Sequence, residues 1–172
     1  DDMTTPRSRS RVIGSIRAEN GKGTVRMEDV YDTAIADVWS ALTEPERLSR
    51  WIAEVTGDLR PGGQFHSRFT SGWDGPGRVD TCEPHRRIVA TMGIGSDDET
   101  VIEATLANED GKTRLVIEER GLPLEEVAAH GAGWQAHVED LVSYLDGRVP
   151  GSWEERWTEL SPHYRELAEE LR

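Results

Sequence analysis

The chain has 172 residues and a formal charge of -13, because 33 acidic side chains outnumber 20 basic ones. This charge repels phosphate backbones and anionic lipid surfaces, which argues against nucleic acid and against a membrane surface as partners. No apolar run approaches the roughly 20 residues that span a membrane, and the single cysteine, Cys82, excludes an intramolecular disulfide. These features predict a cytoplasmic protein with one folded domain.

The N-terminal residues are poor in apolar side chains. Arginine and serine alternate from Arg7 to Arg11, and an Asn20-Gly21 turn signal follows. A segment that can bury so little apolar surface is expected to stay unfolded. The sequence therefore predicts a flexible leader over residues 1–22, a folded domain over 23–147 and a C-terminal helical extension over 148–172.

The domain opens with a strand pattern and then changes to a helix pattern. Val25, Met27 and Tyr31 share one face of the predicted strand. Helical spacing follows from residue 35 to 42, and Pro45 suits the first turn of a second short helix. Six further segments then show strand-like patterns, separated mainly by turn signals rich in glycine and proline. They cover residues 55–59, 64–69, 77–83, 87–93, 100–107 and 112–119.

The run from Leu124 to Asp146 predicts a long helix. Its apolar side chains recur every three or four residues, so a helix of about 20 residues, roughly 30 Å long, would present one apolar ridge to the sheet. Gly131 and Gly133 each cost up to about 1 kcal/mol relative to alanine inside a helix. We therefore predict a break between a short turn at residues 124–129 and the main helix. The alternative is that the glycines open volume beside Trp134 or permit close approach to the sheet.

The C-terminal extension carries a second apolar stripe at helical spacing. Ser161 suits a helix cap and Pro162 the first position of a helix, so two short helices are predicted rather than one rod. An exposed stripe of this size would promote association. It is expected to dock on its own domain, with a homodimer as the alternative. The stripe comprises Trp153, Trp157, Leu160, Tyr164, Leu167 and Leu171.

Five motifs together resemble the START-like helix-grip superfamily called SRPBCC, in the branch of the activator of the heat-shock protein 90 ATPase. They are VWSALTEP at 38–45 with Leu48 and Trp51, LRPGGQF at 59–65, EPHRRI at 83–88, TRL at 113–115, and Gly133-Trp134 with Leu141 and Leu145. The resemblance spans about residues 24–147. It implies an α+β fold in which a curved antiparallel sheet of six or seven strands wraps around a long C-terminal helix. Two short helices are expected after the first strand.

A helix lying across one face of a curved sheet leaves a cleft, and alternation assigns strand residues to its two faces. We predict that seven side chains bind a ligand there: Trp51, Phe65, Phe69, Met92, Trp134, His137 and Leu141. Such residues stabilise a fold with or without a ligand, so a solid core is an equally weighted alternative. For His137, a surface or hydrogen-bonded structural role is the commoner outcome.

Known catalytic signatures are missing from the sequence. It contains no Gly-x-Ser-x-Gly elbow, phosphate-binding loop or dinucleotide fingerprint, and its histidine spacing does not suit zinc. No metal or cofactor is predicted, and Cys82 is interpreted as a small buried side chain. Acid–base roles would require several polar residues to converge in one cavity. The candidates are His66, Arg68, Glu83, His85, Glu103 and His137.

Three functions remain open from the sequence. The leading one is binding of a small hydrophobic or aromatic molecule in the cleft. The second is an enzyme of the polyketide-cyclase or isomerase type that uses polar cavity residues. The third is a protein-interaction module resembling the chaperone activator. Fold resemblance alone does not choose among them.

Overall fold

The computed structural model describes residues 11–171, and its eight strands form one antiparallel sheet in the order β1-β2-β8-β7-β6-β5-β4-β3. The strands are β1 Ile13–Glu19, β2 Lys22–Tyr31, β3 Ala53–Gly57, β4 Gln64–Phe69, β5 Asp74–Glu83, β6 Arg87–Met92, β7 Thr100–Glu109 and β8 Lys112–Leu122. The helices are α1 Ile35–Thr43, α2 Pro45–Leu48, a 3-10 turn Leu124–Glu126, α3 Val127–Leu145 and α4 Trp153–Glu169. The predicted α+β class is confirmed.

The strand count exceeds the prediction because the N-terminal segment contributes a strand. The prediction of a flexible leader is wrong for residues 13–22, because β1 pairs antiparallel with β2, with Ile16 opposite Val25. Asn20 and Gly21 have positive φ angles of 53° and 78°, as the tight turn of a hairpin requires. The two short helices consequently follow the second strand. Residues 1–10 of the predicted leader lie outside the described residues.

Helix α3 lies against the sheet and carries much of the core. Val127, Val138 and Leu141 project from it and are almost completely buried. Met27 and Leu115 meet them from the sheet and are equally buried. The predicted apolar ridge of this helix is thus the centre of the packing.

The predicted break at the two glycines is wrong, because α3 runs without interruption from Val127. A Cβ atom on Gly131 would lie 2.5 Å from Cδ1 of Tyr164, and one on Gly133 would lie 3.3 Å from Cζ2 of Trp153. The glycines therefore allow close packing against α4, and at Gly131 also against the sheet, since the added Cβ would lie 3.1 Å from Cγ2 of Ile16 in β1. This contact stabilises the helix at positions where its intrinsic propensity is weak.

The C-terminal extension forms one helix, so the prediction of two short helices is wrong. Pro162 lies inside α4, where it removes one backbone donor. Leu160 and Tyr164 are buried on either side of it, and α4 packs against α3 and β1. Tertiary contacts thus keep the helix continuous through the proline. The stripe docks on its own domain, and the homodimer stays a prediction.

Among residues 11–171, no helix combines the length and the apolar character needed to cross a membrane.

Candidate functional site

A cavity of about 760 Å³ lies between the sheet, the first half of α3 and the start of α4. Strands β4, β6, β7 and β8 supply its floor, and the turn between β4 and β5 forms one edge. Helix α4 supplies a wall of two indole rings. The large apolar side chains around it are Phe69, Trp73, Met92, Ile102, Leu122, Trp134, Trp153 and Trp157.

Ring contacts hold the aromatic walls in place. Trp153 and Trp157 stack with their centroids 6.2 Å apart and their planes 21° apart. Their indole nitrogens donate hydrogen bonds to backbone oxygens of α3, at 3.2 Å and 3.0 Å. On the opposite side, Trp73 packs edge-on against Phe69 at 5.7 Å. The helix and the sheet thus each present aromatic surface to the same space.

His137 is buried among these rings and lines the cavity. Its ring centroid lies 5.2 Å from that of Trp153, 5.5 Å from Trp134 and 5.7 Å from Phe69. Nδ1 is buried and has no hydrogen-bond partner in the described part of the chain. Burial lowers the pKa of the imidazole to about 3, so His137 is neutral at physiological pH. It is neither a surface residue nor one whose Nδ1 is satisfied by a hydrogen bond.

A buried carboxylate, Glu119, forms the second polar feature of the cavity. Thr100 Oγ1 donates to its Oε2 at 2.7 Å, and Trp134 Nε1 donates to its Oε1 at 2.8 Å. His130 Nδ1 lies 3.0 Å from the same Oε1. Burial disfavours the charge of Glu119, yet these hydrogen bonds and the charge of His130 outweigh it and lower its pKa. Burial likewise opposes protonation of His130, but Glu119 raises its pKa overall.

Sequence reasoning missed Glu119 and His130 as acid–base candidates. The available signal was alternation, since Leu115, Ile117 and Glu119 share one face of β8. A charged side chain in phase with buried apolar residues is expected to have a dedicated partner. His130 is that partner, one turn before Trp134 on α3.

A smaller cavity of about 140 Å³ is enclosed by the short helices, by Trp134 of α3 and by strands β3 to β8, and its lining is almost wholly apolar. Trp51 and Phe65 line it. The Trp51 side chain is 2% exposed, and its Nε1 donates to the backbone oxygen of Ala41 at 2.9 Å. This hydrogen bond ties the turn before β3 to α1, which gives Trp51 a structural role.

The seven predicted site residues therefore fall into four groups. Phe69, Met92 and Trp134 line both cavities. His137 lines the large one alone, whereas Trp51 and Phe65 line the small one alone. Leu141 lines neither and is completely buried in the core. Ligand binding by these residues stays a prediction.

The other five acid–base candidates all lie outside the lining of the large cavity. His66 pairs with Asp74, and Glu103 forms ion pairs with Arg87 and Arg120. Arg68, Glu83 and His85 also lie outside the cavity lining.

Cys82 is half-buried, and burial raises the pKa of its thiol, which keeps it protonated. Residues 11–171 contain no group of three side chains arranged to hold a metal ion.

The eight-stranded sheet, the two short helices and the long helix over a cavity define a helix-grip protein of the SRPBCC class. Residues 32–146, more than half of the chain, match the family described as Activator of Hsp90 ATPase homolog 1-like protein. The chain belongs to this family. The β1–β2 hairpin and α4 lie outside the matched segment.

Solved structures share the fold. CalU16 from Micromonospora echinospora is 23% identical in its crystal structure, which covers 93% of this chain and 99% of its own, with a TM-score of 0.76. Protein MLL2253 from Mesorhizobium loti is also 23% identical, covering 72% of this chain and 96% of its own, with a TM-score of 0.65. The CalU16 match extends beyond residues 32–146.

DynU16, a protein in the dynemicin biosynthetic locus, is 27% identical over 74% of this chain, with a TM-score of 0.68. The match covers 49% of DynU16, so this chain spans about half the length of that protein. A comparison with curated proteins finds no significant match.

Proposed function

We propose that this protein binds a small hydrophobic or aromatic molecule in the large cavity. The observation that carries the proposal is the aromatic lining of a space of about 760 Å³. Pockets that enclose small organic ligands typically measure roughly 300 to 1,000 Å³ and are mainly apolar with a few polar groups. Phe69 and Trp134 offer ring surface, and Glu119 and His137 are the polar groups deep in the space.

Packing energetics support a ligand in this space. The stacked rings of Trp153 and Trp157 are only half-buried, although they lie beside a large apolar surface. Burying the apolar surface of an aromatic ring stabilises a complex by about 25 cal/mol per Å². An aromatic occupant would therefore gain several kcal/mol of binding free energy. DynU16, a structural relative, lies in a biosynthetic locus, a setting in which small organic molecules are the substrates and products.

Calorimetric titration with 1-naphthalenemethanol tests the proposal. Binding should weaken at least about tenfold in Trp153→Ala and in Trp73→Ala, because each variant removes one aromatic wall. Trp73 is 37% exposed, so its removal should leave the fold intact. Ile13→Ala is the matched control, since Ile13 is an exposed apolar side chain outside the cavity. Unchanged affinity in both tryptophan variants would reject this cavity as the binding site.

A proton-transfer enzyme is the second candidate, because Glu119, His130 and His137 converge on one cavity. With Glu119 ionised, His130 Nδ1 carries a proton, and the lone pair of Nε2 can act as a general base. Nε2 of His130 would take a proton from the carbon next to a substrate carbonyl group, which leaves an enolate and an imidazolium. The imidazolium would then return a proton to the enolate. Deuterium exchange into 2-tetralone, followed by NMR, measures this step. Equal exchange rates with wild type and His130→Gln would exclude it.

The chaperone-activator alternative has the family description as its support and stays a prediction.

A further inference from the structure

The mouth of the large cavity is lined by carboxylates. Asp98 comes from the β6–β7 loop, Glu126 from the 3-10 turn before α3, and Glu154 from the first turn of α4. All three side chains belong to exposed residues, and they approach the cavity from three separate elements. No lysine or arginine of residues 11–171 lines the cavity. The opening is therefore acidic on several sides.

The charge of the interior does not offset this rim. Glu119 adds a fourth carboxylate, and His130 is the partly exposed base beside it, 3.0 Å from Glu119 and 3.9 Å from Glu126. His137 adds no charge, because it is neutral. Four formal negative charges thus face at most one imidazolium, so the cavity is anionic in either protonation state of His130.

Aromatic ring faces add to the attraction for a cation. The π-electrons above an indole or phenyl ring are negative, and a cation within about 6 Å of the ring centre is stabilised by them. Trp153 and Trp157 stack on α4, the helix that also carries Glu154, and Trp73 lines the same cavity. An ammonium group at this rim would meet both carboxylates and ring faces while keeping part of its hydration. It would thereby avoid the desolvation cost of the deep interior.

The buried His137 independently supports an occupant of the cavity. Its ring is 4% exposed and lines the cavity, and its Nδ1 has no partner among the described residues. A buried polar atom without a hydrogen bond costs stability, and such atoms are rare unless a site uses them.

We infer that the cavity selects a cationic ligand, a protonated amine carried on an aromatic or apolar body. The ammonium lies at the rim near Glu126 and Glu154, and the body lies inward between the aromatic walls. The net charge of -13 draws such cations toward the opening. This inference rests on the proposed function and adds the chemical class of the ligand.

Three probes of the same shape test it by calorimetry: 1-naphthylmethylamine as the cation, 1-naphthalenemethanol as the neutral analogue and 1-naphthoate as the anion. The amine should bind about tenfold tighter than the alcohol at low salt, and the naphthoate should bind weakest. The advantage of the amine should shrink several-fold between about 0.02 M and 0.5 M salt, because exposed charges are screened. An alcohol or naphthoate that binds as tightly as the amine overturns the inference and leaves the proposed binding function standing.

A pair of double variants separates the rim from the overall charge. Glu126→Gln with Glu154→Gln removes two rim carboxylates, whereas Glu125→Gln with Glu155→Gln removes their sequence neighbours, which do not line the cavity. Both pairs change the formal charge equally. The rim pair should weaken amine binding roughly fivefold to tenfold, and the control pair less than about twofold. Equal losses in the two pairs would overturn the inference. Failure of all three probes to bind the wild type would reject both the proposed function and this extension of it.

Discussion

The two sides of the space beneath α3 are built differently. Toward β2 and β8 the space is filled by aliphatic side chains, and Met27, Leu115 and Leu141 retain at most 1% exposure. Toward β4 and β6 the same helix faces the large cavity, where Phe69 and Met92 belong to the wall. One helix thus serves a solid core on one side and an open site on the other.

Glycines in β5 help to explain the open side. A Cβ atom on Gly77 would lie 2.4 Å from the Phe65 ring, and one on Gly75 would lie 2.9 Å from the Trp73 ring. Both aromatic rings therefore lie close against the strand. Trp73 lines the large cavity and Phe65 the small one, so these glycines bring aromatic surface close to the sheet beside both spaces.

Leu141→Ala should give the largest loss of stability, because it empties a completely buried position on the filled side. The free energy of unfolding should fall by about 2 to 5 kcal/mol, while affinity for a cavity ligand stays unchanged. Urea denaturation measures the first quantity and calorimetry the second. Val149→Ala is the control, since Val149 is 91% exposed. A stability loss below about 1 kcal/mol would show that this side is not tightly packed.

His137→Phe should change the response to acid. The folded protein holds the pKa of His137 at about 3, whereas an unfolded chain binds that proton near 6.5. Wild-type stability should therefore fall as the pH drops from 6.5 toward 3, and the variant lacks this contribution. Between pH 7 and pH 4 the wild type should lose roughly 3 kcal/mol more than the variant. Urea denaturation at both pH values measures this difference, and equal losses would contradict a neutral, buried His137.

Gly131→Ala should destabilise the contact between α3 and α4 by about 1 to 3 kcal/mol, because the new methyl group would meet the buried Tyr164 ring. Thermal and urea denaturation measure the effect. Gly151→Ala should stay within about 0.5 kcal/mol of wild type, since no atom lies within 4 Å of the added carbon. If the two variants have equal stability, Gly131 is not needed for helix packing.

Glu119→Gln should have the smallest effect, about 1 to 2 kcal/mol, and this effect should depend on pH. The lowered pKa of Glu119 stabilises the fold above pH 4.5, and this stabilisation is lost as the pH falls through the lower folded value. The raised pKa of His130 stabilises the fold below pH 6.5, and this is lost as the pH rises through the higher folded value. The expected change in stability is modest because His130 is a third exposed to solvent.

The difference between wild type and Glu119→Gln should therefore be largest between pH 4.5 and 6.5. Urea denaturation across this range measures it. Glu118→Gln provides the control, because Glu118 forms surface ion pairs on the opposite face of β8. A pH-independent difference would argue against the ion pair.

Local pattern was sufficient for most of the secondary structure. Strand β4 spans the predicted residues 64–69, and β6 and β8 begin where alternation predicted them. Alternation also placed Phe65, Ser67 and Phe69 on one face, and all three line the small cavity. Such patterns are readable because a half-buried strand repeats every two residues whatever it packs against.

The sequence by itself determined the fold class, the apolar ridge of α3 and the aromatic residues near the site. Only the tertiary structure decided the continuity of α3 at Gly131 and of α4 at Pro162, because α3 and α4 stabilise each other at these weak positions. It also decided that Glu119 meets His130 and that carboxylates from three elements share one opening. Such contacts depend on how segments that are distant in sequence pack together. Local periodicity shows only which face of its own helix or strand a residue occupies.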